Sequence, residues 1–260
     1  MPELIDIIRA YGAIPPLTAF RRPLFVGPHP DDIEFCCGGL VAKMTEAGIP
    51  VTFAVATDGA AGTGDPGVTP EMMRETREKE SRAAAASLGV ARIEFLGLED
   101  GGPYTVEDAV RALIPLILDV QPDIIFATDP KLRTECHPDH LKIGQAVREA
   151  VKLVPYPVAL RRHGISVEGV SRFPSDITLA FYATDDANTV EEIGERHLNA
   201  KFAALALHAS QMQDSSTDLL LSYFRLKAME LGRNCPSGLA ENYQVLMPLT
   251  QHVYSEGLHY

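Results

Sequence analysis

The chain has 260 residues, of which 23 are Lys or Arg and 35 are Asp or Glu, so its formal net charge is −12. A chain this acidic lacks the excess of basic residues that nonspecific nucleic-acid binding requires, and no apolar run approaches the ~20 residues of a membrane span. We therefore expect no nucleic-acid partner and no membrane partner. The length suffices for one α/β domain with a full core, and we expect residues 1–260 to form a single domain.

The cysteines and the first residues bear on the compartment. The chain has four cysteines without CxxC spacing, and the adjacent residues Cys36 and Cys37 are poorly placed to form a disulfide with each other. The first 20 residues contain Glu3 and Asp6 and lack the long apolar core of a signal peptide. We therefore expect reduced thiols in a cytoplasmic protein.

Short apolar strands alternate with longer helices in the first 150 residues. After a short amphipathic helix over 4–10, the pattern predicts strands over 24–26, 51–57, 93–96 and 123–127. Helices are predicted over 32–47, 71–88 and 105–119, and another follows residue 137. Four such alternations predict an α/β fold of the Rossmann-like type, a three-layer sandwich with a mainly parallel sheet.

The second half of the chain has a weaker pattern. It predicts a loop-rich excursion over 153–175, strands over 177–182 and 242–247, and helices over 189–208 and 216–231. Thr189 and Glu192 are expected to cap the first of these helices. The first strand is not followed by GxGxxG, and GxxxxGKS is absent, so the fingerprints of the nucleotide-binding folds are missing.

The first predicted strand is followed by a turn that contains one histidine and two aspartates within four residues. It reads Gly-Pro-His-Pro-Asp-Asp, and Pro30 is the predicted first residue of the next helix. His29 and Asp32 are three residues apart, so one helical turn can direct both at one point while Asp31 faces elsewhere. Two of these groups could hold a metal ion while the third remains free to move protons.

A second His-Pro-Asp motif, His137-Pro138-Asp139-His140, follows the fourth predicted strand. The carboxyl ends of parallel strands share one edge of a sheet, so both motifs should meet there. His29, Asp32 and His140 would form a site of two imidazoles and one carboxylate with open positions, as in hydrolytic zinc centres, and this set also suits other divalent cations. A single motif of this kind is more often a helix cap, but two at neighbouring strand ends favour a metal site.

These motifs resemble those of the PIG-L/LmbE-like zinc deacetylases, which remove acetyl groups from N-acetylglucosamine units. The resemblance covers most of the chain, and the spacing, loop 58–63 and residues 135–140 are most similar to the archaeal diacetylchitobiose deacetylase branch. Four further stretches support it: Gly38-Gly39, Thr57-Asp58-Gly59, the segment from Arg77 to Gly89, and His208-x-Ser210-Gln211.

The resemblance implies roles for individual residues. His29, Asp32 and His140 would hold Zn²⁺, Asp31 would be the general base that accepts a proton from the attacking water, and His137 would stabilise the oxyanion as an imidazolium. Arg77 and Asp100 match substrate-binding positions, although an ion pair and a turn are their simpler interpretations.

Other residues are expected to have structural or supporting roles. Asp139 is expected to orient or cap rather than react, and Asp129 to hydrogen-bond a ligating imidazole. His208 is expected to be a core or interface histidine. The resemblance also implies a homo-oligomer, a trimer or hexamer, in which a C-terminal histidine such as His252 could reach a neighbouring site.

The sequence thus predicts a zinc-dependent amidohydrolase that converts the acetamide of an N-acetylglucosamine-containing substrate, a chito-oligosaccharide or a conjugate, to free amine and acetate. An amidase or deacetylase of a GlcNAc-containing thiol or secondary metabolite is the alternative within the same chemistry. A non-catalytic sugar- or nucleotide-binding Rossmann module is the alternative of another class. Loops 58–69 and 153–175 are expected to decide the substrate.

Overall fold

Seven strands form one sheet in the computed structural model, which describes residues 13–212 and 217–252. The strands are β1 (Pro23–Gly27), β2 (Thr52–Thr57), β3 (Arg92–Leu98), β4 (Ile124–Thr128), β5 (Thr178–Tyr182), β6 (Thr189–Glu192) and β7 (Ala240–Leu246). Their spatial order is β3-β2-β1-β4-β5-β7-β6. The first five strands run parallel, and β7 pairs antiparallel with both β5 and β6.

Seven α-helices are described around this sheet. They are α1 (Asp32–Glu46), α2 (Pro70–Ser87), α3 (Val106–Val120), α4 (Pro138–Leu153), α5 (Pro157–Arg162), α6 (Glu195–Leu205) and α7 (Thr217–Leu231). The predicted Rossmann-like α/β class is therefore confirmed. The predicted helix over 4–10 and the tail 253–260 lie outside the described residues. None of the helices within 13–212 and 217–252 has both the length and the apolar character needed to cross a bilayer.

The helices cover the two faces of the sheet with two large apolar cores, and a smaller apolar cluster contains Leu198 of α6 and Ala228 of α7. Leu24 and Val26 of β1 face the core built with α3 and α4, whereas Phe25 between them faces the core built with α1 and α2. Phe25 stacks on Phe126 of β4 with ring centroids 4.2 Å apart. Successive residues of a strand point to opposite faces, so a fully buried strand carries apolar side chains at every position.

The sheet has its topological switch point between β1 and β4. From β1 the chain winds outward to β2 and β3, and it then returns to place β4 on the other side of β1, with Leu24 paired to Ile125. Ligands of open α/β sheets bind in the crevice at the carboxyl ends of the strands beside such a point. Both His-Pro-Asp motifs follow these two strands.

Two predicted segments differ from the structure. The prediction of a helix start at Thr189 is wrong, because Thr189–Glu192 forms β6 against the edge of β7 and the helix begins only at Glu195. Backbone hydrogen bonds to a distant strand outweigh the local capping signal there. The excursion over 153–175 contains a short helix, α5, whose Leu160 is buried against the α3–α4 core.

Candidate metal centre and active site

The loop after β1 is not helical at Pro30, where the sequence predicted the first helical residue. Helix α1 begins at Asp32, and Asp31 occupies its N-cap position with φ 111° and ψ −28°. The backbone N–H of His29 donates to Asp32 Oδ2 at 2.8 Å, and the imidazole Nδ1 lies 3.2 Å from the same oxygen. The Thr57 hydroxyl donates to the carbonyl oxygen of Pro28 at 2.8 Å and ties this loop to β2.

The loop after β4 begins its helix in the regular way. His137 is the N-cap residue of α4, its Nδ1 accepts a hydrogen bond from the Asp139 N–H at 3.3 Å, and Pro138 occupies the first helical position. His140 follows within the first turn, and its carbonyl oxygen accepts from the Thr128 hydroxyl at 3.0 Å. Prolines are favoured at the first helical position because no N–H is needed there.

The structure brings His29, Asp32 and His140 together, as the sequence predicted. Asp32 Oδ2 lies 3.2 Å from His29 Nδ1 and 3.4 Å from His140 Nε2, so one carboxylate oxygen contacts both imidazoles. The centroids of the two rings are 5.2 Å apart. Nitrogen atoms of His29, His137 and His140 also lie within 4.8 Å of one another. These groups form a potential metal-binding cluster.

A second set of possible ligands surrounds the other nitrogen of His29. Asp100 Oδ1 and Asp139 Oδ2 lie 3.2 Å and 3.3 Å from His29 Nε2, and His137 completes a group of four whose ligand atoms are within 4.8 Å of one another. His29 thus has carboxylates on both sides. The two groups of possible ligands, one with His140 and one with Asp100 and Asp139, share His29 and His137.

The cluster carries more negative than positive charge. Burial lowers the pKa of His29, but hydrogen bonds and charge from Asp100 and Asp32 overcome it and raise the pKa to about 10. Burial also works against ionisation of Asp32, yet contacts with His140 and His29 hold the pKa of its carboxyl well below the usual range. A site that stabilises positive charge on its own imidazoles is suited to a cation.

Asp31 is held by a buried arginine. Arg77 of α2 places Nη2 3.2 Å from Asp31 Oδ2 and donates to the carbonyl oxygens of Pro30 at 2.5 Å and Gly59 at 3.3 Å. Gly59 has φ +66°, and a side chain there would contact both Arg77 and Pro30 at about 3 Å. Burial and the charge of Asp32 raise the pKa of Asp31 to about 7, although Arg77 works in the opposite direction.

The two remaining aspartates of the cluster are tied into the neighbouring loop. Asp100 accepts a hydrogen bond from the Ala61 N–H at 3.1 Å, so it connects the cluster with loop 58–69. Asp139 is fully buried and accepts from the Gly101 N–H and the Tyr104 hydroxyl, each at 2.8 Å. These contacts agree with the expectation that Asp139 orients rather than reacts.

Glu135 has contacts at the site that were not predicted from the sequence. Its Oε2 lies 2.8 Å from His140 Nδ1, and its Oε1 accepts a hydrogen bond from the His137 N–H at 2.7 Å. Asp129, which was expected to support an imidazole, accepts instead from the Lys131 N–H at 2.8 Å and the Thr184 hydroxyl at 2.6 Å. The contact between Glu135 and the His137 N–H could have been predicted from position, because a carboxylate two residues before a helix cap can accept the N–H of that cap.

The segment 208–211 supports the site from outside the cluster. His208 is fully buried with Nε2 3.3 Å from Glu34 Oε1, as expected of a core histidine. The Ser210 hydroxyl donates to Glu80 of α2 at 2.7 Å, and the Gln211 amide donates to the Gly62 carbonyl at 3.0 Å. The segment therefore links α2 to loop 58–69. His252 follows the last 3₁₀ turn, Pro248–Gln251, and is exposed.

Comparisons with known proteins show the family to which the chain belongs. Residues 24–151 match the family model described as PIG-L, GlcNAc-PI de-N-acetylase. The chain is 30% identical over 240 residues to the diacetylchitobiose deacetylase of Thermococcus kodakarensis, covering 92% of this chain and 88% of that protein. It is 29% identical to the probable N-acetyl-α-D-glucosaminyl L-malate deacetylase 2 of Bacillus anthracis, covering 78% and 87%.

A solved structure gives the same result for the fold. The N,N′-diacetylchitobiose deacetylase of Pyrococcus horikoshii, determined with its inhibitor MPG, superposes with a TM-score of 0.88 at 26% identity and covers 98% of this chain and 97% of its own. The matched family segment contains both His-Pro-Asp motifs. The resemblance stated from the sequence is therefore confirmed, and the chain belongs to the PIG-L family.

Proposed function

We propose that the chain is a metal-dependent hydrolase that removes the acetyl group from a small N-acetylglucosamine-containing substrate and releases a free amine and acetate. The observation that carries this proposal is the contact of one Asp32 oxygen with the imidazoles of two distant motifs, beside a further carboxylate on Asp31. The names of the relatives, which are deacetylases of acetylated sugars, support the reaction class.

The residues present fit a divalent cation. His29, Asp32 and His140 offer two imidazoles and one carboxylate, the donor set of hydrolytic zinc sites, and the surplus of carboxylates around His29 favours a positive charge. We propose Zn²⁺ held by these three residues, with another divalent cation as the alternative. The bound ion would polarise a carbonyl group and lower the pKa of water to about 7.

Asp31 is the proposed general base. Its carboxylate lies next to the ligand Asp32 along the chain but is turned away by the left-handed backbone at Asp31, and Arg77 fixes its orientation. A carboxylate held in this manner can accept the proton of the attacking water without occupying a ligand position. Strained backbone of this kind costs about 1–3 kcal/mol and recurs at active sites.

His137 is the proposed donor to the developing oxyanion. Because its Nδ1 accepts the Asp139 N–H, the hydrogen of a neutral ring would sit on Nε2. This contact suits a neutral ring that donates from Nε2, whereas the resemblance implies an imidazolium. One positioned donor at an oxyanion contributes on the order of 3 kcal/mol. Arg77 and Asp100 remain proposed substrate-binding residues, although their contacts favour support of Asp31 and His29.

The test combines substrate and metal. Purified protein is assayed for free amine and acetate with diacetylchitobiose, monomeric N-acetylglucosamine and its malate and inositol conjugates, before and after removal of metal with a chelator. We expect turnover that disappears on chelation and returns with Zn²⁺. His140→Ala should lose metal, whereas Asp31→Asn should keep it. Metal-loaded protein without turnover on any of these substrates would contradict the proposal.

The substrate panel also decides between the candidates. The malate deacetylase relative supports a GlcNAc conjugate as the second candidate substrate, next to a chito-oligosaccharide. A preference for the conjugate over the disaccharide would favour that candidate. Binding of sugar without turnover, by protein that takes up no metal, would instead favour the non-catalytic binding module.

Four further expectations remain proposals. We infer one domain over residues 1–260 and a cytoplasmic location, which the four free cysteines support. We also infer a homo-oligomer, for which the resemblance implies a trimer or hexamer, and the large apolar side chains that α7 exposes, Leu219, Tyr223, Leu226 and Met229, suit association between copies. Leu226→Glu should lower the mass measured by light scattering if copies of the chain associate through α7. No nucleic-acid or membrane partner is expected for a protein of net charge −12.

A further inference from the structure

The support of the two proposed imidazole ligands is unequal. His29 Nδ1 faces Asp32, and its Nε2 lies near the carboxylates of both Asp100 and Asp139 at 3.2 Å and 3.3 Å. His140 Nε2 faces Asp32, and its Nδ1 has a single carboxylate neighbour in the described residues, Glu135 at 2.8 Å. On the side of the ring that faces away from Asp32, His140 is therefore held by one carboxylate.

We propose that Glu135 is a positioning residue that fixes the ring orientation and the tautomer of His140 for metal binding. A carboxylate that accepts from Nδ1–H leaves Nε2 with a free lone pair directed at Asp32, where the cation would sit. The inference rests on the proposed metal centre and adds to it the residue that prepares one ligand.

The second contact of Glu135 makes this role demanding. While Oε2 faces His140, Oε1 accepts the backbone N–H of His137, the cap residue of α4. Glu135 must therefore supply two hydrogen-bond acceptors at once. A carboxylate supplies two, but an amide supplies one acceptor and one donor. Glu135→Gln keeps the shape and must lose one of the two hydrogen bonds whichever way it is oriented.

Asp129 offers a matched control. It stands at the same carboxyl edge of the sheet, accepts two hydrogen bonds, from the Lys131 N–H and the Thr184 hydroxyl, and is more deeply buried than Glu135. Asp129→Asn removes the same charge and one acceptor, but its partners belong to the adjoining loops rather than to a histidine. Loss of charge and loss of one acceptor are therefore common to both variants, whereas a disturbed contact with His140 or with the backbone N–H of His137 is confined to Glu135→Gln.

The experiment measures Zn²⁺ affinity by competition with a chromophoric chelator and thermal unfolding of the metal-free proteins, for wild type, Glu135→Gln and Asp129→Asn. We expect Glu135→Gln to weaken Zn²⁺ binding by about 10- to 100-fold, the usual effect of losing such a support. Asp129→Asn should leave the affinity unchanged, whatever its effect on the unfolding temperature. The His140 Nδ1–H proton resonance of the Zn²⁺-loaded wild type should shift or vanish in Glu135→Gln.

Unchanged affinity in Glu135→Gln would overturn the inference, and so would an equal loss of affinity in Asp129→Asn. Wild-type protein that binds no divalent ion would overturn the metal centre itself and the inference with it. Because affinity is measured without substrate, the identity of the acetylated sugar does not affect any of these results.

Discussion

The two loops that follow β1 and β4 contain the same three letters, His-Pro-Asp, and use them differently. In the β1 loop the third residue, Asp31, has a left-handed backbone, and burial and the charge of Asp32 raise its pKa to about 7. In the β4 loop the third residue, Asp139, lies in the first turn of a regular helix. Burial works against its ionisation, but hydrogen bonds from Gly101 and Tyr104 lower its pKa.

The difference bears on the proposal that Asp31 is the general base. Asp139 has its acceptor capacity used by a backbone N–H, a tyrosine hydroxyl and Lys142, so its charge is stabilised and held in place. Asp31 has one strong partner, Arg77, and lies beside another carboxylate. A carboxylate with fewer partners gives up less when it accepts a proton.

The largest effect is expected from replacing Asp31 or Asp139 with asparagine. The first change should lower kcat, and the second should lower the stability of the fold. Asparagine tolerates the left-handed backbone, so Asp31→Asn should fold and bind metal but lose about 10²- to 10⁴-fold in kcat, the usual contribution of a general base. Asp139→Asn should lower the free energy of unfolding by roughly 1–3 kcal/mol, because a buried acceptor of several hydrogen bonds is impaired. Turnover and denaturant unfolding of both variants measure this. Near-normal kcat in Asp31→Asn would remove it as the base.

Removal of Arg77 should affect the β1 loop more than the loss of the ion pair between Arg74 and Asp58 does. Arg77→Met takes away the charged contact with Asp31 and the donors to Pro30 and Gly59, and we expect kcat to fall about 10- to 100-fold. Arg74→Met, one turn earlier on α2, breaks an exposed ion pair with Asp58 and should have little effect. Steady-state kinetics of both variants provide the comparison, and equal losses would mean that Arg77 has no special role.

A smaller effect should come from glycine. Gly59 and Gly101 both have positive φ, +66° and +65°, but only at Gly59 would an added Cβ lie within about 3 Å of atoms of Arg77 and Pro30. Gly101→Ala should cost about 1–2 kcal/mol for the backbone alone, and Gly59→Ala should cost more. Denaturant unfolding measures both. The same cost in both variants would show that the space around Arg77 adapts without penalty.

The smallest effect concerns pH and the buried pair behind the β1 loop. Burial lowers the pKa of His208, but contact with Glu34 and the charge of Asp31 outweigh burial and Arg77 and raise it. A raised pKa stabilises the folded protein fully below the ordinary histidine value of about 6.5, and this contribution is lost as pH rises through the folded value. The unfolding free energy of wild type minus that of His208→Gln should therefore be larger at acidic than at alkaline pH. A difference that grows with pH would contradict the assignment.

Much of the fold could be predicted because its signals are local and repeated. Strand 24–26 and the helices predicted over 32–47, 71–88 and 105–119 depend on nearby residues, and all appear within a few residues of their predicted places. Strand β6 could not be predicted in this way. Its four residues pair with β7, about fifty positions later, and no local pattern reports that partner.

The features of the site also divide into those that the sequence predicted and those that it did not. The sequence predicted that His29, Asp32 and His140 come together, because strand order places the ends of two neighbouring strands at one edge. The left-handed Asp31, the burial of Arg77 beneath it and the contact between Glu135 and His140 depend on side-chain geometry that spacing does not encode. Spacing therefore predicted which residues meet, and coordinates were needed for what supports them.

The register between β1 and β4 has a consequence for how such a protein can change. The two motifs are joined through adjacent strands, with Leu24 opposite Ile125 and Phe25 opposite Phe126, so the distance between their histidines is set by the sheet. The long connections around it, including loop 58–69 and residues 153–175, take no part in that spacing. We therefore expect sequence changes in residues 153–175 to leave the distance between the two histidines unaltered.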